Sequence, residues 1–264
     1  MPWDMGKLSK REQANQMSFP HAALDRYFQA LLELQTRVLE SQRDVLIEIA
    51  ERMAETTQRD QRIFTFGTGH SHMLAEESFY RAGGLANVVP ILAEHFMLHN
   101  LPAVGSRLER TPGLAKMILD RYAPQPGEML FVFSNSGVNY LPVEMAVSGR
   151  ERGIFVVGIS SFAYARQAPL SDLGLRLDEA VDLALDNGGI PGDALLEIEG
   201  LNWRVAPSST IVSALLWNCL VAETAQQLQA AGIPAPIYAS LNIAGAAEHN
   251  QILLDKWRSR NIHL

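Results

Sequence analysis

Apolar positions recur at helical spacing from Pro20 to Thr57, with charged residues between them. Leu24, Tyr27, Phe28, Leu31, Leu32, Leu34, Val38, Leu39, Val45, Leu46, Ile49 and Met53 keep that spacing, which predicts one long amphipathic helix or a broken pair. Beyond Thr57 the period changes. Short apolar runs alternate with helical stretches, the order that gives parallel strands joined by crossover helices. The predicted strands are Arg62–Phe66, Asn87–Leu92, Glu128–Phe133, Ile154–Ile159 and Val181–Leu185, with Ala194–Ile198 as an edge strand. The predicted helices are Ser71–Ala82, Pro112–Tyr122, Val138–Arg152, Ser209–Ala231 and Gly245–Arg258. Residues 1–19 show no period and read as a loose arm, which leaves residues 20–264 as a single α/β domain without repeats or a linker.

Composition narrows the function classes. With 264 residues, 47% of them apolar and 19% charged, the chain can bury a full core. Its one cysteine, Cys219, makes no internal disulfide, and the N-terminus lacks a signal-peptide order, so the expected compartment is the cytoplasm. The longest apolar run, Ile211 to Ala222, is broken by Ser213 and Asn218 and is shorter than the ~20 residues of a membrane span. A net charge of −7 and the lack of any basic run argue against nucleic acid as a partner. The four lysines lie outside any Gly-rich phosphate loop and any strand end suited to a Schiff base, and no cofactor is expected.

Two loops at strand ends carry candidate chemistry. In Gly67-Thr68-Gly69-His70-Ser71 the glycines permit a tight turn into a helix whose first amides suit an anion; a plain strand-to-helix turn explains the same residues. In Ser134-Asn135-Ser136-Gly137-Val138-Asn139, hydroxyls at alternate positions beside a glycine can all donate to one oxyanion. A third cluster, Ser208-Ser209-Thr210, precedes the late apolar helix, where capping accounts for one of the three. At the carboxyl edge of a parallel sheet these clusters gather into one crevice.

This combination resembles the sugar isomerase (SIS) domain of phosphosugar isomerases and phosphosugar-binding proteins, over a stretch running from Arg62 to the C-terminus. The resemblance implies a three-layer α/β/α sandwich around a five-stranded parallel sheet, preceded by the long N-terminal helix. It implies a phosphorylated sugar as ligand, its phosphate on the Ser134–Asn139 loop, and a homo-oligomer, a dimer or tetramer, with sites near subunit contacts. Where the family pattern ends in Ser or Thr this chain has Asn139, whose amide also donates. The stretch Gly69 to Glu77 is most similar to phosphoheptose isomerases, in which a glutamate on this helix belongs to the active site. Those enzymes also carry a histidine on the late helix, and Thr210–Ala231 contains none.

Aldose–ketose isomerisation needs a base beside a carbonyl, an acid for the carbonyl oxygen and an anchor for the phosphate. Glu77 is the first candidate for the base and Glu76 the second. For the acid the order is His249, then His70 or His72, then Glu223; a surface position is the competing reading for each. Asp186 and Asn187 either bind sugar hydroxyls or belong to a turn, the turn being slightly favoured. His95 and His99 share a helical spacing without a third ligand and read as surface residues, and metal binding stays open. Besides an isomerase, the pattern fits a phosphosugar etherase acting as a lyase, a phosphosugar-binding sensor and, as an outsider, a dinucleotide-dependent dehydrogenase, whose third glycine is replaced by His72.

Overall fold

A computed structural model describes residues 23–264. The arm expected over residues 1–19 lies outside them. The elements in chain order are α1 (Ala23–Ser41), α2 (Arg43–Gln58), β1 (Ile63–Gly67), α3 (His72–Glu77), β2 (Val88–Pro90), α4 (Pro102–Leu108) and α5 (Leu114–Tyr122). They continue with β3 (Met129–Phe133), α6 (Tyr140–Glu151), β4 (Phe155–Ser160), α7 (Phe162–Gln167), α8 (Leu177–Ala180), β5 (Leu183–Asp186), β6 (Ala194–Leu196), β7 (Val205–Pro207), α9 (Ser209–Ala230) and α10 (Ala246–Trp257). The sheet runs β2-β1-β3-β4-β5 with every pair parallel, and helices cover both faces, which is the expected α/β/α sandwich.

Successive strand residues point to opposite faces, and here both faces are apolar because both are covered. Ile63, Met129, Phe131, Phe133, Val157 and Ile159 face α1, α2 and α9, meeting Val38, Ile49, Met53, Leu216 and Leu220. Trp217 of α9 stands edge-on to Phe131 at 5.2 Å between ring centroids. Their neighbours Phe64, Phe66, Leu130, Val132 and Val156 face the other way, onto Leu119 of α5, Leu141 and Met145 of α6 and Leu177 of α8.

Several boundaries differ from the sequence reading, each for a local reason. The N-terminal helix is a broken pair, interrupted at Gln42, where φ is −106° and ψ 6°. The helix expected over Ser71–Ala82 shortens to a 3₁₀ turn at Gly69–Ser71 and the six residues of α3. It stops where the Ser78 hydroxyl bonds back to the Ala75 carbonyl at 2.8 Å and meets Thr65 Oγ1 at 2.9 Å. The edge strand expected over Ala194–Ile198 does not join the main sheet. Only residues 187–193 separate β6 from β5, too few for a parallel crossover, so β6 pairs antiparallel with β7 in a separate two-stranded sheet. The short helices α4, α7 and α8 and the strand β7 were not predicted.

The opposite edge of the sheet is tied by a buried ion pair. Arg62 donates from Nε to Glu128 Oε1 at 2.7 Å and from Nη2 to Oε2 at 2.8 Å, with side chains 12% and 4% exposed. The same carboxylate accepts the amides of Arg62 and Gln125, joining the starts of β1 and β3. Removing one partner strands the other charge, so Glu128→Ala should lower unfolding free energy by about 3–5 kcal/mol, read by denaturant titration. A loss below about 1 kcal/mol would show that water reaches Arg62 once its partner is gone.

Candidate functional site

Parallel register aligns the strand ends. Gly67 of β1 pairs with Phe133 of β3, Phe133 with Ile159 of β4, and Ser160 with Asp186 of β5, so the loops after these strands open at one edge. After β1 the chain turns so tightly that a Cβ at Gly67 would overlap the Ser71 carbonyl, and Gly69 adopts φ +55°. Glycine alone tolerates both demands. Thr68 is buried, and its hydroxyl donates to Glu109 Oε2 at 2.8 Å. His72 is buried behind the turn, with Nδ1 3.3 Å from the Gly67 carbonyl and Nε2 3.8 Å from Glu76 Oε1. Burial pushes the His72 pKa below its ordinary value, against smaller opposing effects of the Gly67 carbonyl and Glu76.

The second loop is held from beneath. The Ser161 amide donates to the Asn135 carbonyl at 2.9 Å, and Asn187 Nδ2 donates to Asn135 Oδ1 at 3.1 Å and to Ser213 Oγ at 3.4 Å. Gly137 takes φ +63° directly over Ser160, whose buried hydroxyl has no partner. Ser71, Ser134, Asn135, Asn187, Ser209 and Thr210, six of the residues singled out in the sequence, line one gap of about 10 Å³, room for a single water, together with Ser213 and the apolar Leu74, Phe133 and Ile159. Ser136 and Asn139 line a second, larger recess with Arg110, Tyr140 and Tyr164.

The third cluster does two things. Ser209 and Thr210 reach the cavity, yet the start of α9 is occupied by a carboxylate of the chain itself. Asp193 Oδ1 accepts the amides of Ser208 at 3.1 Å and Ser209 at 2.8 Å, and Oδ2 accepts the Ser209 hydroxyl at 2.7 Å. Asp193 thus satisfies donors that a helix start leaves open, with a charge that suits the helix dipole. The Asp186 carboxylate accepts the amides of Phe162 and Gly188, which is the turn role, while Asn187 lines the cavity.

The candidates for acid and base stand elsewhere. Glu77, the last residue of α3, is ion-paired with Arg81 four residues on, past the end of the helix, and Glu76 is exposed. Glu223 on α9 accepts from Gln227 at 3.1 Å, and His249 on α10 is exposed with Nε2 2.8 Å from the Ile237 carbonyl. None of these four, nor exposed His70, lines either recess. His95 and His99 are exposed, and among the described residues no group of three or more His, Cys, Asp or Glu is placed to hold a metal. Glu109, Arg110, Asp193 and Ser213 were missed. Glu109 and Arg110 fall in a connection that periodicity leaves blank, and Asp193 was visible only as one member of a Gly-rich turn.

Residues 26–161 match the SIS domain family. A UPF0309 protein of Halalkalibacterium halodurans is 40% identical over 235 residues, covering 89% of this chain and 94% of its own length. Another, of Brucella anthropi, is 40% identical over 240 residues, covering 91% and 98%. Among solved structures, a phosphoheptose isomerase from Francisella tularensis aligns with a TM-score of 0.49 at 11% identity, covering 83% of this chain and all of that one.

Because burial disfavours the charged form of His72, the unfolded chain takes up a proton there more readily than the folded one. Stability contributed by this site is therefore complete above the unfolded pKa of about 6.5 and lost as pH falls through it. Denaturant titrations should show wild type losing stability between about pH 7 and 5, with His72→Asn showing a shallower loss. Equal slopes in the two proteins would remove His72 as the source.

Proposed function

The chain belongs to the SIS domain family, and from that premise we propose that it binds a phosphorylated sugar on the Ser134–Asn139 loop and interconverts its aldose and ketose forms. The observation that carries this reading is the convergence of Ser71, Ser134, Asn135, Asn187, Ser209 and Thr210 around one gap of about 10 Å³, beside which the ligand would lie. Hydroxyl and amide donors at the carboxyl edge of a parallel sheet suit a ligand rich in hydroxyls and oxyanion oxygens.

In this proposal Glu77 takes the proton from the carbon beside the carbonyl and returns it to the neighbouring carbon, after release from Arg81. A first-loop histidine, His70 or His72, serves the carbonyl oxygen. His249 and Glu223 take part only across a subunit boundary. A specific observation favours a second reading, a non-catalytic phosphosugar sensor: none of the candidate acids and bases but the polar binding residues line the recesses.

A thermal-shift panel of pentose, hexose, heptose and N-acetyl sugar phosphates separates these readings. A saturating phosphosugar should raise the melting temperature while its unphosphorylated parent does not, since a ligand of the native state stabilises it by mass action. Ser134→Ala and Ser136→Ala should each weaken binding by about 1–3 kcal/mol, and unchanged affinity in both would take the loop out of the site. With a ligand in hand, solvent deuterium should enter the carbon beside the carbonyl, and Glu77→Gln should slow that entry by about 10²–10⁴-fold with Glu76→Gln as control. Binding without exchange in wild type would leave the sensor.

The proposal extends to a homo-oligomer, a dimer or tetramer. Leu24, Phe28 and Leu32 follow one another at four-residue spacing on α1 and are 76%, 67% and 47% exposed, a stripe that a second subunit would cover. Light scattering at micromolar concentration should give a multiple of 29.2 kDa, and a monomer mass would end this part of the reading.

A further inference from the structure

The strand β2 closes one side of the sheet and pairs only with β1, so its outer edge has no neighbouring strand. The Ile63 amide donates to the Asn87 carbonyl and the Ile91 amide to the Thr65 carbonyl, so residues 87 and 91 turn their backbone groups toward β1. Those groups alternate in direction along a strand, and Val88, Pro90 and Leu92 therefore turn outward. A bare row of this kind invites pairing with another chain.

Residues 261–263 cover the row. Asn261, 2% exposed, donates from Nδ2 to the Val88 carbonyl at 3.2 Å. The His263 ring has the Pro90 carbonyl as one hydrogen-bond partner, and its Nε2 lies 3.0 Å from the Tyr122 hydroxyl. That hydroxyl accepts the Leu92 amide at 2.8 Å, and Phe79 stands edge-on to the imidazole at 6.2 Å between ring centroids. The chain just before the strap is anchored without His263. Trp257 is buried, Arg260 bonds to Asp60 at 2.7 Å, and Arg62 donates to the Arg260 carbonyl at 3.2 Å.

One arrangement of protons gives every donor in this network an acceptor. With the imidazole neutral, its N–H serves Pro90, the bare Nε2 accepts the Tyr122 hydroxyl, and the tyrosine oxygen accepts Leu92. A second ring proton, on Nε2, meets that hydroxyl donor to donor, and Tyr122, 5% exposed, is left with an unbonded O–H. Arg121 repels a charged ring, and among the described residues no side-chain carboxylate acts to hold one. Burial pushes the His263 pKa below its ordinary value, with Arg121 adding to the shift and the Pro90 carbonyl opposing it.

We propose that residues 261–264 are a proton-sensitive strap over the β2 edge, pinned by His263 and released when its ring takes up a second proton. Release bares the Val88 and Pro90 carbonyls and the Leu92 amide, the kind of groups to which an added strand bonds. The device does not depend on the ligand proposed above. Its sign follows from the ring being neutral under the strap and free to protonate once released. The strap is complete above the released-state pKa of about 6.5 and is lost as pH falls through that value.

Amide hydrogen exchange at Leu92 and across residues 261–264 tests this, each rate being divided by the intrinsic rate at its pH. In wild type, protection should fall about tenfold between about pH 7.5 and about pH 5.5, the latter one unit below the released-state pKa. His263→Gln, whose amide donates to Pro90 and accepts from Tyr122 without titrating, should keep its protection at both pH values. Equal losses in the two proteins, or no loss in wild type, would overturn the strap. In NMR spectra, the imidazole signals that His263→Gln removes should titrate below about 6.5. Titration at or above that value would overturn it even if glutamine does not fit the seat.

Discussion

Backbone pairing between parallel strands is the constraint from which the candidate site follows. Each strand must run the same way as its neighbour, so each connection has to travel back over a face, and all strands finish at one edge. The register sets Gly67, Phe133, Ile159 and Leu185 side by side, and the chain leaves that edge four times within a short distance. Residues 71, 134 and 187 lie far apart in sequence and meet for this reason, and residue 209 joins them from the start of α9, which Asp193 holds. At the opposite edge the Arg62–Glu128 pair fixes the starts of β1 and β3, which keeps the first and second loops in step.

Helix starts around the crevice are satisfied in different ways. Asp193 closes α9 and Ser161 accepts from the Tyr164 amide at the start of α7, while the Glu144 carboxylate takes the amides of Gly113 and Ala115 before α5. At α6 the N-cap residue, Asn139, makes no side-chain cap bond, and its side chain lines the larger recess. Local folding energetics thus occupy the α9 start with the chain's own carboxylate, while the polar groups of the second loop stay turned toward space a ligand can fill. The loop is nevertheless rigidly seated, because Asn135 is bonded both to Asn187 and to Ser161.

Short, almost continuous apolar runs made β1, β3 and β4 legible almost to the residue, since strands buried on both faces carry apolar residues at nearly every position. Hydroxyls and glycines clustered after strands marked the loops, and six of those residues do line one cavity. The catalytic candidates were less legible. Glu77 matched a family position, but its partner Arg81 lies four residues on, and sequence spacing alone does not decide whether a carboxylate faces a crevice or a neighbouring guanidinium. Glu109 and Arg110 lie in a stretch without periodicity, and only the bonds from Thr68 and Leu141 to Glu109 tie that stretch to the site.

What the sequence determined by itself is therefore local and periodic: which segments are strands, where glycine is required, and which short polar clusters sit at strand ends. Each follows from sterics and side-chain period over a few residues. Tertiary structure alone decided that β6 leaves the main sheet, that Asp193 occupies the start of α9, and that Ser134 and Asn135 line a different space from Ser136 and Asn139. These depend on how connections of fixed length pack and which distant groups then satisfy one another's hydrogen bonds, and that geometry exists only once the sheet has closed its register.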